Sequence, residues 1–208
     1  MKHLLIMISS LALAACGGSL FQSKAPPTAM YLLSVSAAPT GVEIPVDLAV
    51  QKPRVRTGLD TDRIAALYPD RRLDYFAGAR WSGRLDEVVQ DLALRAFRNR
   101  ANLRNVHAGV FGFGGGYWLE IDVADFQAEY SANPGEGGAA PTIHVHLWGL
   151  VGGPDRRTLS RIDAEVRQPA TDNRLTAIVA AYNAAADAAL AKIVDDATAA
   201  LKASLERR

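Results

Sequence analysis

The chain contains a single cysteine, Cys16, and this constrains the fold because no disulfide can form within the chain. A domain without cross-links must be stabilised by burial of apolar side chains, which requires enough residues to enclose a core. Hydrophobic residues make up 49% of the 208 residues, a fraction typical of a globular domain rather than a disordered one. We therefore expect one folded domain with a substantial hydrophobic core.

Cys16 also ends a sequence pattern that indicates export. A basic start at Lys2 precedes an apolar run from Leu4 to Leu13, and the small residues Ala14 and Ala15 come directly before the cysteine. This order is typical of a bacterial lipoprotein signal peptide. A run of about 10 apolar residues is too short for a spanning helix, which needs about 20. We predict that the Cys16 thiol carries lipid; the alternative, a buried core cysteine, does not explain the residues before it.

The signal divides the chain into three segments: a signal peptide at 1–15, a lipidated cysteine with a flexible linker at 16–29, and a single domain at 30–208. Within the linker, Gly17–Thr28 is rich in small and polar residues, closes with Pro26 and Pro27, and spans at most about 40 Å when extended. Lipid on Cys16 would hold the domain at the periplasmic face of the envelope. In enteric bacteria an aspartate directly after the lipidated cysteine signals retention in the inner membrane. Gly17 occupies that position here, which favours the outer membrane.

The formal net charge of +1 argues against a nucleic-acid partner, which would require a clustered basic surface.

Beyond the linker, several segments are apolar or alternate apolar with polar residues, which predicts β-strands. The predicted strands are Met30–Val35, Ile44–Val50, Arg63–Leu67, Leu73–Phe76, Val106–Val110, Trp118–Glu129, Thr142–Leu150 and Arg157–Arg167, the last four as an antiparallel meander. Apolar residues at helical spacing predict a helix from Gly83 to about Asn99, with Ser82 as its N-cap, and a second from about Leu175 to Leu205. This order predicts an α/β two-layer sandwich, in which a mostly antiparallel or mixed sheet carries both helices on one face.

Three aromatic residues are candidates for contact with a partner or ligand. Trp81 precedes the first predicted helix, where it either packs at the helix entrance or contacts a ligand. Phe111 and Phe113 lie in a glycine-rich stretch, where exposed rings would contact lipid or a partner and buried ones would join the core. The glycines at 112–116 resemble a phosphate-binding loop only superficially, because a strand rather than a helix follows them.

The sequence offers little support for a metal site or for catalysis. His144 and His146 share one face of a predicted strand and could supply two metal ligands. No third ligand is apparent at a suitable spacing, so we interpret both as polar residues of a solvated or interface face and expect no metal. No nucleophile motif is present, although catalytic groups can assemble from distant positions. We expect no enzyme activity, no catalytic residue and no cofactor.

Several segments resemble a known family when taken together. They are the lipid signal at Cys16, the strand at Tyr31–Leu33, Gly58–Ile64, and Leu73–Trp81 leading into Leu85–Gln90. These are similar to the ABC-type transport auxiliary lipoprotein family, which includes the paraquat-inducible lipoprotein C. The resemblance covers nearly the whole chain after the signal peptide, and the passage from strand to helix at Trp81 carries most of it.

The resemblance implies a fold and a role. The family fold is similar to the N-terminal domain of the translocation protein TolB. Members accompany an ABC permease and ATPase together with a protein carrying a mammalian-cell-entry (MCE) domain, and such systems move phospholipids or other hydrophobic compounds between membranes. The family has no established catalytic residues, so only the lipidated Cys16 transfers to this chain.

Other possibilities remain open alongside this role. A homo-oligomer is one expectation, because the edges of a sheet pair readily with further strands. Two alternative functions are a lipid-binding or docking lipoprotein of another envelope-assembly machine, and a lipid-anchored enzyme. The first would require an apolar cavity, and the second a cleft with convergent polar groups.

Overall fold

The computed structural model describes residues 27–38, 41–109, 116–133 and 139–207. Its elements are, in chain order, β1 (Ala29–Tyr31), β2 (Ile44–Val50), β3 (Arg54–Val55), β4 (Arg63–Leu67), β5 (Leu73–Trp81), α1 (Leu85–Arg100), β6 (Leu103–Ala108), β7 (Tyr117–Glu129), β8 (Thr142–Gly152), β9 (Thr158–Pro169) and α2 (Leu175–Glu206). The strands form one mixed sheet, and the helices form a second layer. The predicted α/β sandwich is confirmed.

The long strand β7 organises the sheet. One of its edges pairs antiparallel with β8, which pairs antiparallel with β9. Its other edge pairs in parallel with three short strands in succession: β2 near its start, β3 in its middle and β4 near its end. Strand β6 extends the sheet beyond β2, while β5 and then β1 extend it beyond β4. Pro53 separates β2 from β3, and proline cannot donate to a strand ladder.

The helices cover one face of this sheet, and the core lies between the layers. Helix α2 packs against β8 and β9, and α1 packs against β6 and against α2. Trp81, Phe126 and Tyr182 meet at the centre, with Trp81 edge-to-face against Tyr182 at a centroid distance of 5.1 Å. The Tyr182 hydroxyl donates a hydrogen bond to the Ala65 carbonyl at 2.7 Å. Burial raises the pKa of Tyr182 well above its ordinary value, so this hydroxyl remains a donor.

Helix α2 has the apolar stripe that the sequence predicts, and alanine allows it to approach the sheet closely. Its buried residues are Ile178, Ala181, Tyr182, Ala185, Ala186, Ala189, Leu190, Ile193, Val194, Ala197 and Leu201. Among the described helices, α2 is long and apolar enough to cross a membrane by length and composition alone. Half of its most apolar 18-residue window is buried against the rest of the domain. We therefore interpret α2 as the core helix of the folded domain.

The segment that follows β1 is hydrogen-bonded to α2. The backbone N–H of Ser34 donates to Asn183 Oδ1 at 2.7 Å. The backbone N–H and hydroxyl of Ser36 donate to the Asp187 carboxylate at 3.0 Å and 2.7 Å. We call residues 32–38 the strap, because they join the first strand to the surface of α2.

The structure differs from the predicted elements at several points, of which two affect how the first helix begins and which strands are neighbours. Helix α1 begins at Leu85 rather than Gly83, and its N-cap is Arg84 rather than Ser82. The reason is that Trp81 and Leu85 still donate backbone hydrogen bonds to the carbonyls of the 61–62 segment, which holds the chain extended. Strand β6 is also not part of a meander with β7, because the parallel strand β2 lies between them.

Candidate functional site on the open face of the sheet

The sheet face opposite the helices carries a set of carboxylates, arginines and histidines held in defined contacts. Alternate residues of β7, β8 and β9 point to this side, which we call the open face. Its carboxylates are Glu120, Asp122, Asp125, Glu129, Asp163 and Glu165, and the arginines that contact them are Arg54, Arg56 and Arg167. Within the described residues, the carboxylates therefore outnumber their arginine partners two to one.

His144 lies at one end of the open face and is almost completely enclosed, with only 7% of its side chain exposed. Its Nδ1 is 2.9 Å from Glu129 Oε1, and its Nε2 is 2.9 Å from Glu165 Oε1. The Arg167 guanidinium lies against the same ring and is 2.6 Å from Glu129 Oε2. The His144 imidazole therefore lies between a carboxylate of β7, Glu129, and a carboxylate of β9, Glu165.

Glu129 is the carboxylate that Arg167, Gln127 and His144 all contact. Burial by itself raises its pKa, because a charged carboxylate loses hydration. Hydrogen bonds from Arg167, Gln127 and His144 outweigh that effect and hold the pKa of Glu129 below its ordinary value. Glu129 is therefore ionised at neutral pH and supplies a fixed negative charge beside His144.

His146 follows on the same face, one pleat along β8. Its Nε2 is 2.7 Å from Asp163 Oδ1 on β9, and its Nδ1 is 3.8 Å from Asp125 Oδ2 on β7. Asp125 Oδ1 accepts hydrogen bonds from Arg56 Nη1 and Gln127 Nε2, each at 3.0 Å. These two hydrogen bonds leave the other carboxylate oxygen, Oδ2, facing the His146 ring.

Trp148 continues the row of rings along β8. The ring centroids of His146 and Trp148 are 4.9 Å apart, and those of His144 and His146 are 6.2 Å apart. Trp148 is 47% exposed, which makes it an exposed aromatic residue in a field of charged groups. A large apolar ring left open to water among charged residues is a common feature of protein interfaces.

The predicted contact residues have different positions. Trp81 is the last residue of β5 and is only 2% exposed, because it packs against Phe126 and Tyr182. Cys16, Phe111 and Phe113 lie outside the described residues. His144 and His146 do share a face, as the sequence predicts. Asp125, Glu129, Asp163 and Trp148 were not among the predicted site residues, although the pattern His-x-His-x-Trp on one strand was a signal that could have led to Trp148.

A depression of about 310 Å³ lies on a different part of the surface, at the end of α1 and along β6. It is lined by Arg98, Ala101, Asn102, Leu103, Arg104, Asn105 and Val106. Most of these side chains are polar or charged. The depression is therefore not the kind of apolar site that would hold an acyl chain.

A family model of the ABC-type transport auxiliary lipoprotein component matches residues 31–194, which is most of the chain and nearly all of the described domain. The chain belongs to this family. The expectation from the sequence is thus confirmed, and membership makes this auxiliary lipoprotein a component associated with an ABC transport system. It also indicates a lipid-anchored protein on the periplasmic side of the envelope. The family description is that of an auxiliary component rather than an enzyme.

Solved structures show that the fold is shared. The auxiliary lipoprotein is similar to protein XCC0632 from Xanthomonas campestris, with 20% identity and a TM-score of 0.72 over 86% of this chain and 99% of that one. It is also similar to the hypothetical protein CT253 from Chlamydia trachomatis, with 8% identity and a TM-score of 0.52 over 77% and 99% of the two chains. At these identities the likeness shows the fold alone. No curated protein matches the chain.

Proposed function

We propose that this auxiliary lipoprotein is a lipid-anchored docking subunit of an MCE-type ABC system that moves phospholipids or other hydrophobic compounds across the envelope. In this role it binds the MCE-domain protein or the permease and ATPase complex and performs no catalysis itself. The observation that carries the proposal is the open face, where Trp148 stands exposed among ordered ion pairs. An aromatic anchor surrounded by charges suits a specific protein contact.

The two faces of the sheet support this division of roles. The helix-covered face is filled by apolar side chains and is used for folding. The open face has no second layer over it within the described residues, yet its charged side chains are held in defined pairs by β3, β7, β8 and β9. A prearranged polar surface loses little side-chain entropy when a partner binds. It is therefore better suited to docking than a freely mobile charged surface.

The N-terminal segment supplies the attachment to the membrane in this proposal. Residues 1–15 are removed, Cys16 carries the lipid, and residues 16–29 link it to the domain at 30–208. The linker allows a reach of at most about 40 Å, so the open face can stand clear of the headgroups of the outer membrane. Anchoring that lasts requires more than one acyl chain, because a single chain binds reversibly.

The polar depression bears on the alternative of a lipid-binding lipoprotein. A site for an acyl chain needs an enclosed apolar lining, and the depression beside Arg98 and Arg104 is polar. The ion pairs of the open face are likewise spread along four strands rather than gathered in a cleft. These observations favour docking over lipid storage and over enzyme activity.

Photo-crosslinking in the cell envelope tests the docking role. A photoreactive residue replaces Trp148 in one variant and Lys202, an exposed residue of α2, in a matched control. We expect position 148 to crosslink to the MCE-domain protein or the permease, and position 202 to give no such product. Crosslinks from position 148 only to a second copy of the chain would support a homo-oligomer and contradict the proposed docking face.

A separate measurement tests the anchor. Metabolic labelling with palmitate should label the wild-type chain and fail to label the Cys16→Ser variant. Retention of label in Cys16→Ser would contradict lipidation at this residue. Fractionation of the labelled protein on a density gradient would place it in the outer membrane, and recovery in the inner membrane would contradict that part of the proposal.

A further inference from the structure

We propose that Asp125, His144 and His146 form a binding site for a divalent metal ion of the zinc class on the open face. The three side chains come from neighbouring strands, and one potential ligand atom of each lies within 4.8 Å of those of the other two. Two imidazoles and one carboxylate are a ligand set that zinc uses in proteins, with a further position open to water. The inference does not depend on which transport partner the lipoprotein binds.

The relation between His146 and Asp125 gives the first argument. The Asp163 carboxylate can only accept a hydrogen bond, so a neutral His146 ring carries its proton on Nε2, the atom 2.7 Å from Asp163. The lone pair of Nδ1 then faces Asp125 Oδ2 across 3.8 Å. Two acceptors that face each other without a hydrogen between them repel, and a cation between them removes the repulsion.

The distances are close to those of a zinc site but require side-chain adjustment. Zinc binds nitrogen and carboxylate oxygen at about 2.0–2.2 Å with tetrahedral geometry, so two of its ligand atoms lie roughly 3.3–3.6 Å apart. The separation of 3.8 Å between His146 Nδ1 and Asp125 Oδ2 is only slightly longer than that. The widest separation in the group, up to 4.8 Å, exceeds that range by roughly 1.2 Å. Binding would therefore draw the three side chains together by rotation about their side-chain bonds.

The surrounding groups orient the three ligands as they do around known metals. Histidines that bind metals usually donate their other ring N–H to a carboxylate, and Asp163 takes this role for His146. Arg56 and Gln127 hold Oδ1 of Asp125 and leave Oδ2 for the ion. His144 differs, because Glu129 and Glu165 each contact one of its ring nitrogens at 2.9 Å. Metal binding at His144 would displace one of these carboxylates, and the other would keep the ring in place.

The local charge also favours a cation. Two arginines lie at the site: Arg167 pairs with Glu129 and Glu165, and Arg56 pairs with Asp125. Asp163 has no arginine partner among the contacts of the described residues and adds a further negative charge beside His146. An ion bound here would join β7 to β8 through three ligands and leave Trp148 exposed beside it.

Zinc titration of the purified full chain in detergent tests the site. Calorimetry at pH 7.5 should show one zinc ion bound per chain, and cobalt should give the visible absorption of a site with nitrogen and oxygen ligands. Affinity should fall at pH 5.5, because protons compete for the imidazoles. We expect His146→Ala and Asp125→Asn to abolish this binding, and Asp163→Asn to weaken it by roughly 10–100-fold.

The matched control is His107→Ala, which removes an exposed histidine of β6 on a different part of the sheet. This variant should bind zinc as the wild type does. Circular dichroism of each variant identifies any that fails to fold, and Asp125→Asn keeps the shape of the side chain for that reason. The proposal is overturned if the wild type binds no zinc at pH 7.5, or if folded His146→Ala and Asp125→Asn bind it as tightly as the wild type.

Discussion

Strand β8 presents two opposite environments on alternate residues. Ile143, Val145 and Leu147 face the helices and are essentially inaccessible to water. His144 and His146 face the other way and contact carboxylates from both neighbouring strands. One strand therefore contributes to the hydrophobic core and to a charged surface at the same time. The comparison teaches that stability and recognition can be changed separately here, by substitutions only one residue apart.

The largest effect is expected on the side facing the helices. Leu147→Ala removes a fully buried side chain, which should lower the free energy of unfolding by about 2–5 kcal/mol because a cavity remains. The neighbouring His146→Ala should lower it by about 1 kcal/mol or less, since that residue faces the open side. Urea unfolding followed by circular dichroism measures both. Equal losses in the two variants would contradict the division between the faces.

Gly149 sharpens the comparison at a point where α2 packs tightly against β8. A Cβ atom there would lie 2.9 Å from Ile193 Cδ1 and 3.2 Å from Ile162 Cβ, so Gly149→Val should destabilise the domain by about 1–3 kcal/mol through overpacking. Combining it with Ile193→Ala should cost less than the sum of the two single variants, because the smaller side chain makes room. Thermal unfolding of all four proteins gives the coupling. Strict additivity would indicate that α2 does not press on Gly149.

On the open face, the effect of Glu129 should depend on pH. Its pKa in the folded state lies below the ordinary 4.5, so the stability it contributes is present above that value and is lost as the pH falls through the folded-state pKa. The difference in free energy of unfolding between the wild type and Glu129→Gln should be largest near pH 7 and should shrink toward about pH 3. Denaturant unfolding at several pH values measures it. A difference that grows on acidification would refute the assignment.

The smallest effect is expected for the exposed pair of Arg54 and Asp122. Arg54 Nη2 donates to Asp122 Oδ2 at 2.9 Å, but both side chains are largely open to water. Arg54→Ala should therefore change the free energy of unfolding by only about 0.2–1 kcal/mol, and less at high salt. Denaturant unfolding at low and high salt provides the measurement. A loss above about 2 kcal/mol would show that the open face also carries stability.

Much of the fold could be predicted because periodicity reports burial. The alternation in β8 and the apolar stripe of α2 placed these elements within two residues of their observed ends. Alternation does not report which strands are neighbours, so the parallel pairing of β2 with both β6 and β7 was not foreseen. Such pairings bring together residues distant in sequence, and a local pattern contains no information about them.

The third residue of the candidate metal site was missed for a specific reason. The alternation in β7 places Glu120 and Asp122 on the open face, and a regular continuation would turn Asp125 toward the helices. A bulge between Val123 and Asp125 adds one residue and reverses the alternation, so Asp125 faces the same side as Asp122 and lies opposite His146. The positions of His144 and His146 could be predicted, but the register shift that completes the set could not.

The strap has a consequence for how the domain is assembled. Ser34 and Ser36 are hydrogen-bonded to Asn183 and Asp187, about 150 residues later in the chain. These bonds cannot form during synthesis until the last helix has been made and has docked. Premature termination before α2 would thus leave Ser34 and Ser36 without these partners, and proteases would gain access to the strap more readily.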